Sequence, residues 1–212
     1  MSSKRASRSR SWVDRQRKDP YARKAREGAY RSRAAFKLQQ LDHKERLLRP
    51  GMSVVDLGAA PGSWSQYAAS RVGPTGTVIA LDRITMDAVA GVRQITGDFM
   101  DPGTVTIINE ALGGRSVDLV ISDLAPNLTG VASVDQTAME GLVLAVVQFA
   151  SQQLGPKGVL VTKFFEGSQA NNLRHTVESF FHVSRVRKPD ASRAKSAEAY
   201  LVARRPLSRA GC

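Results

Sequence analysis

From Gly51 onward the chain alternates short runs of apolar residues with longer segments of helical periodicity, and no other feature restricts its fold so strongly. SVVDLG, TVIALDR, VRQITGD, VDLVISDLA, GVLVTKFF, HVSRVRK and AYLVARR read as strands. Helices are expected between them, from about Ser63 and over residues 105–112, 134–154 and 169–180. Residues 117–121 and 159–161 are largely or wholly apolar, as expected when both faces of a parallel sheet are covered by helices. The pattern predicts an α/β chain with a doubly wound, mostly parallel seven-stranded sheet. Its last two strands, adjacent in sequence, are expected to form an antiparallel edge. An amphipathic helix over residues 32–48, carrying Ala35, Leu38, Leu41 and Leu47 at helical spacing, precedes the sheet and stops at Pro50-Gly51.

Charge is distributed unevenly along this frame. The 212 residues carry 31 Lys and Arg against 19 Asp and Glu, a formal net charge of +12. Residues 1–50 hold 16 basic and five acidic side chains, residues 185–212 hold eight and two, and residues 51–184 are net −5. A mildly acidic core between basic flanks suits a polyanion held beside a folded domain, because phosphate neutralisation releases counterions and gives affinity without sequence reading. Residues 1–30 are therefore expected to be a basic, flexible RNA-binding extension, and residues 31–212 a single domain. For residues 1–20 a solvated tail without a partner is an equal reading.

The same composition excludes several classes. No run reaches the roughly 18 apolar residues of a membrane-spanning helix; the longest, 141–150, is broken by Gln148. The one cysteine, Cys212, forms neither an internal disulfide nor a cysteine metal cluster, and three scattered histidines predict no metal site. The Arg- and Ser-rich start resembles a mitochondrial presequence, but it has no apolar segment and Asp14 and Asp19 interrupt it, so a cytoplasmic protein is expected.

The turn after the first strand, Asp56-Leu57-Gly58-Ala59-Ala60-Pro61-Gly62-Ser63-Trp64, lies where ligands bind such sheets, beyond the carboxyl end of a strand. Gly58 and Gly62 permit close backbone approach to a ligand, whereas the spacing is not G-x-G-x-x-G and Pro61 lacks the amide a pyrophosphate needs. Asp82, twenty residues beyond Gly62, ends the second strand where a carboxylate accepts from ribose hydroxyls; Asp98, at the end of the third, can accept from an adenine amino group. Asp56 and Asp123 add negative charge that favours a cation. These features describe a nucleoside pocket without a phosphate cradle, the shape of S-adenosylmethionine. Each acid alone is more often a cap or turn former, and it is their joint order that points to the pocket; Trp64 is either a cofactor contact or helix-to-sheet packing.

Two polar residues arrive at the same edge from later strands: Asp123 in Ser122-Asp123-Leu124-Ala125-Pro126-Asn127 and Lys163 in Val161-Thr162-Lys163-Phe164-Phe165. A lysine in so apolar a strand needs a partner, which could be merely Glu166 at a solvated strand end. Held near a methyl donor, it could instead orient a nucleophile and accept its proton.

DLGAAPGSWSQY, SDLAPNLTG, VTKFF and SRAKSAEAYLV resemble the FtsJ family of large-subunit ribosomal RNA 2'-O-methyltransferases, over about residues 31–204. The resemblance implies a Rossmann-like class I methyltransferase dependent on S-adenosylmethionine, without a metal. It implies a catalytic tetrad of Lys37, Asp123, Lys163 and Glu198, and cofactor contacts at Gly62, Trp64, Asp82, Asp98 and Asp123. Ser63 and Leu124 depart from the usual glycine and methionine without altering the charged chemistry. The implied partner is 23S ribosomal RNA within the 50S subunit, the implied target an A-loop uridine, and the simplest state a monomer. Whether Lys163 acts as a base or as a charged orienter stays open, as do methylation of another RNA and an RNA-binding assembly factor with an idle pocket.

Overall fold

The computed structural model describes residues 19–28, 30–167, 170–193 and 196–207. Residues 1–18 of the basic start, and Cys212, lie outside the described residues. Seven strands form one sheet: β1 Ser53–Leu57, β2 Thr77–Asp82, β3 Val92–Thr96, β4 Val117–Ser122, β5 Leu154–Phe165, β6 Phe181–Arg187 and β7 Glu198–Pro206. Their order is β3-β2-β1-β4-β5-β7-β6. β1 to β5 are parallel, and β7 runs antiparallel to both β5 and β6. The expected antiparallel edge is present, with the last strand inserted inside it.

Helices cover both faces. On one side lie α2 Ala34–Glu45 and α3 Ser63–Val72, whose Leu38, Leu41, Trp64 and Tyr67 pack with Val54, Leu119, Val161 and Tyr200 of the sheet. On the other lie α4 Pro102–Leu112, α5 Ala132–Gln153 and α6 Ala170–Glu178, burying Ile108, Val143, Val147 and Val177 against Val55, Val120, Leu160 and Leu201. Adjacent strand residues thus serve opposite cores, the two-residue period of a strand buried on both faces.

Within the basic start, Pro20–Glu27 forms a helix, α1. Asp19 caps it, accepting from the Tyr21 and Ala22 amides, and also pairs with Arg33. Ala25 is buried and the Tyr21 ring lies 5.6 Å from Phe36, so α1 belongs to the packed structure. The Glu45 carboxylate, its side chain only 5% exposed, accepts from Arg187 at 2.5 Å and from Arg204 at 3.4 Å, tying the end of α2 to the β6–β7 edge. Among the described residues of the flanks, Arg33, Arg187 and Arg204 are thus engaged inside the fold.

Candidate active site

The carboxyl ends of β1 to β5 lie along one edge, and the strand order reverses between β1 and β4, the point at which sheets of this kind bind ligands. The turn after β1 requires glycine: Gly58 has φ +78°, and a Cβ there would lie 2.8 Å from Leu124 Cδ2 and 3.0 Å from the Leu124 amide nitrogen. Gly62, at φ +97°, faces Arg31, Val89 and Met86 just as closely. Close approach by the protein's own chain, together with the left-handed backbone, explains both glycines. Arg31 then clamps the turn, donating to the carbonyls of Pro61 (2.9 Å), Asp87 (2.7 Å) and Ala88 (2.7 Å).

Asp82 closes the turn from the second strand, accepting from the Ala60 amide at 2.8 Å and the Ile84 amide at 2.9 Å. Asp98 accepts from the Met100 amide and stands 3.5 Å from Arg83, with its carboxylate half exposed. Both have oxygen lone pairs left for a ligand. The Trp64 side chain is buried; its indole N–H donates to the Ala34 carbonyl at 2.7 Å, and its ring lies 5.6 Å from Tyr200. Its side chain is helix-to-sheet packing.

Asp56, the penultimate residue of β1, is completely buried. One carboxylate oxygen accepts from Ser65 at 2.6 Å; the other has no hydrogen-bond partner among the described residues. Burial raises its pKa to about 7 against the help of Ser65, and the charges of Asp123 and Asp82 push the same way. An orphaned oxygen among three carboxylates is an environment that a cationic ligand relieves. The glycine turn and the acids on successive strand ends fit a nucleoside bearing a positive charge.

The structure also gathers the four residues of the tetrad. β5 and β7 pair Lys163 with Tyr200 and Phe165 with Glu198, so Glu198 stands one diagonal from Lys163. The Lys163 amine donates to the Asp123 carbonyl at 2.7 Å and contacts its Oδ1 at 2.9 Å, with Glu198 Oε2 at 3.9 Å. Lys37, on α2, reaches Glu198 Oε1 at 2.7 Å. Glu166 pairs with Lys188 at 3.7 Å rather than with Lys163. Burial opposes ionisation of Glu198, but Lys37, Lys163 and a hydrogen bond from Ser192 outweigh it, and its pKa lies below the ordinary carboxylate value.

Sequence reasoning missed Tyr200. Its hydroxyl donates to Asp123 Oδ1 at 2.8 Å and approaches Glu198 at 3.3 Å, bridging the two acids. Burial first, then the charges of Asp123 and Glu198, holds its proton well above the usual phenol range, so it is a fixed donor. Strand alternation signals it, since residues 198 and 200 share a face. Arg31 and Ser192 left no comparable signal, because their partners are carbonyls and side chains that only folding brings near.

Comparison with known proteins gives consistent matches. The model of the FtsJ-like methyltransferase family matches residues 30–206. A ribosomal RNA large subunit methyltransferase E from Alkalilimnicola ehrlichii is 48% identical over 201 residues, covering 95% of this chain and 96% of the relative. Its counterpart from Azoarcus sp. is 46% identical over 199 residues, covering 94% and 97%. Among solved structures, a ribosomal RNA methyltransferase from Plasmodium falciparum superposes with a TM-score of 0.77 at 30% identity, covering 85% of this chain and all of the other. Aeropyrum pernix fibrillarin, in complex with S-adenosylmethionine, shares the fold with a TM-score of 0.57 at 17% identity, covering 82% and 75%.

Proposed function

The chain belongs to the FtsJ-like methyltransferase family, and from that premise we propose that it methylates a ribose 2'-hydroxyl of large-subunit ribosomal RNA. The finer reading takes an A-loop uridine of 23S RNA, in the 50S subunit, as the target. S-adenosylmethionine, when bound, supplies a sulfonium-activated methyl group. Asp82 and Asp98 would hold its nucleoside, the Gly58–Gly62 turn would pass beneath it, and Asp56 with Asp123 would face its positive charge.

One observation carries this reading: the Lys163 amine is held by two oxygens of the same residue, Asp123, at 2.7 and 2.9 Å. A lysine ammonium has three N–H donors and no acceptor. With two directions engaged by Asp123, one is left for the ribose hydroxyl. In the charged state that direction is an N–H that stabilises developing alkoxide; in the neutral state it is a lone pair that takes the hydroxyl proton. Lys37, drawn toward Lys163 by their shared partner Glu198, flanks the same position and adds positive charge. Glu198 pairs with both lysines and Tyr200 fixes Glu198 and Asp123, and this geometry keeps the hydroxyl aligned for in-line attack.

Labelled methyl transfer to large subunits from a strain lacking this activity, with the modified ribose mapped by reverse-transcription stops, tests the reaction. Label on a single ribose is expected. Label on a base, or none, would overturn the reading. Lys163→Ala should abolish transfer while S-adenosylmethionine still binds. Activity in Lys163→Arg would exclude an obligatory lysine base, since arginine keeps its charge and does not deprotonate in proteins.

A further inference from the structure

Beyond Lys163, on the side away from the glycine turn, lies a cavity of about 460 Å³ that shares Lys163 and Glu198 with the reaction centre and extends past them. Lys163 and Glu198 form one wall; Leu128, Gln136 and Phe165 are among the residues forming the others. We propose that this cavity receives the base of the nucleotide being methylated, turned out of its stack, and that the Gln136 amide reads the edge of that base. The proposal rests on the ribose hydroxyl lying at Lys163, as inferred above; the base is then attached to the same sugar, one glycosidic bond away.

Three observations favour a base over any other part of an RNA. The first is surface chemistry. Leu128 is 63% exposed at the cavity mouth and Phe165 is half buried, offering apolar area of the kind on which an unstacked base rests. The second is charge. Asp135, Glu166 and Glu198 outnumber Lys163 among the residues lining the cavity, so an entering phosphate would be repelled by net negative charge, whereas a neutral base would not. The third is the placement of Gln136. A Cβ on Gly167 would lie only 2.6 Å from the Gln136 amide nitrogen, so the glycine leaves room for that side chain in the cavity wall.

The mouth is also built in advance. Asp135, in the first turn of α5, accepts from the Thr129 amide (2.7 Å), the Thr129 hydroxyl (2.8 Å) and the Gly130 amide (3.1 Å). Those bonds fold the loop after β4 back onto the helix and hold Leu128 at the rim. A primary amide presents a donor beside an acceptor, the combination that matches the edge of a base.

The test uses the full-length enzyme and large ribosomal subunits whose target nucleotide carries each of the four bases. Wild type should prefer one base by roughly tenfold or more in kcat/KM, the discrimination of one two-bond amide contact. Gln136→Ala should lower kcat/KM on the preferred base by a similar factor and flatten the preference, with S-adenosylmethionine affinity unchanged. Gly167→Ala, which displaces the amide without removing it, should give the same flattening and serves if Gln136→Ala folds poorly. A preference that survives both substitutions, or that follows a neighbouring nucleotide's base, overturns the assignment. Ribose methylation by wild type that is indifferent to all four bases sinks the cavity assignment alone. Absence of ribose methylation sinks the reaction reading and the assignment with it.

Discussion

Replacement of Asp56 by asparagine exposes how far this fold is strained by its own acids. In the native chain Asp56 holds its proton to a pH of about 7, against an ordinary value of 3.8. Between those two values the folded chain binds more protons than the unfolded chain, so stability falls as the pH rises. The contribution is fully present below about pH 4, is lost through about pH 7 and changes little above. At about 1.36 kcal/mol per pH unit, the gap corresponds to a contribution on the order of 4 kcal/mol, of which about 3 kcal/mol falls between pH 5 and 8. Asparagine is neutral throughout and removes that dependence. It keeps an oxygen for Ser65 but places an amide where Oδ1 lacks a partner, a pH-independent cost of about 1–3 kcal/mol. Urea unfolding of both proteins at pH 5, 6, 7 and 8 separates the two effects, because only the first varies along the series. The variant should gain on wild type as the pH rises from 5 to about 7 and level off beyond it. A stability difference constant to within about 0.5 kcal/mol over the series would refute the assignment of a buried, proton-holding carboxylate. A cation bound beside Asp56 favours its ionised form, so S-adenosylmethionine affinity of wild type should also rise through pH 7, and that of Asp56→Asn should not.

Other perturbations reach the remaining parts of the site. Glu198→Gln keeps the shape but removes the charge that faces both lysines; it should cost kcat less than Lys163→Ala, and equal losses in single-turnover transfer would show that Glu198 does more than orient them. Tyr200→Phe removes a donor from half-buried Asp123 and should lower stability by about 1–3 kcal/mol, with roughly tenfold lower kcat and unchanged cofactor affinity; unfolding and transfer assays both at wild-type values would contradict the bridge. Gly58→Ala forces a side chain into a left-handed backbone against Leu124 and should destabilise by about 1–3 kcal/mol in chemical denaturation; a change below about 0.5 kcal/mol would mean that the turn relaxes freely. If roughly six basic side chains meet phosphates, log affinity for single-stranded RNA should fall against log salt with a slope near −4. A shallower slope is expected to the extent that Arg33, Arg187, Arg204 and Lys188 stay engaged with Asp19, Glu45 and Glu166.

How far the amino-acid sequence determined this protein follows from the range over which its signals act. Strand and helix periodicity are local, and parallel crossovers have one favoured hand, so Asp56, Asp82, Asp98, Asp123 and Lys163 were bound to collect at a single sheet edge once their strands were recognised. Lys37 and Glu198 were not deducible in that way; the family resemblance pointed to them, and the pairing of β5 with β7 brings Glu198 to Lys163. Tertiary structure alone decided that β7 inserts beside β5, which sets Tyr200 opposite Lys163 and between two acids. It alone decided that Arg31 spans three carbonyls, that one Asp56 oxygen lacks a partner among the described residues, and that Arg187 and Arg204 turn inward to Glu45. These depend on burial and on neighbours distant in the chain, and a hydrogen bond or ion pair between such residues leaves no periodic trace along it.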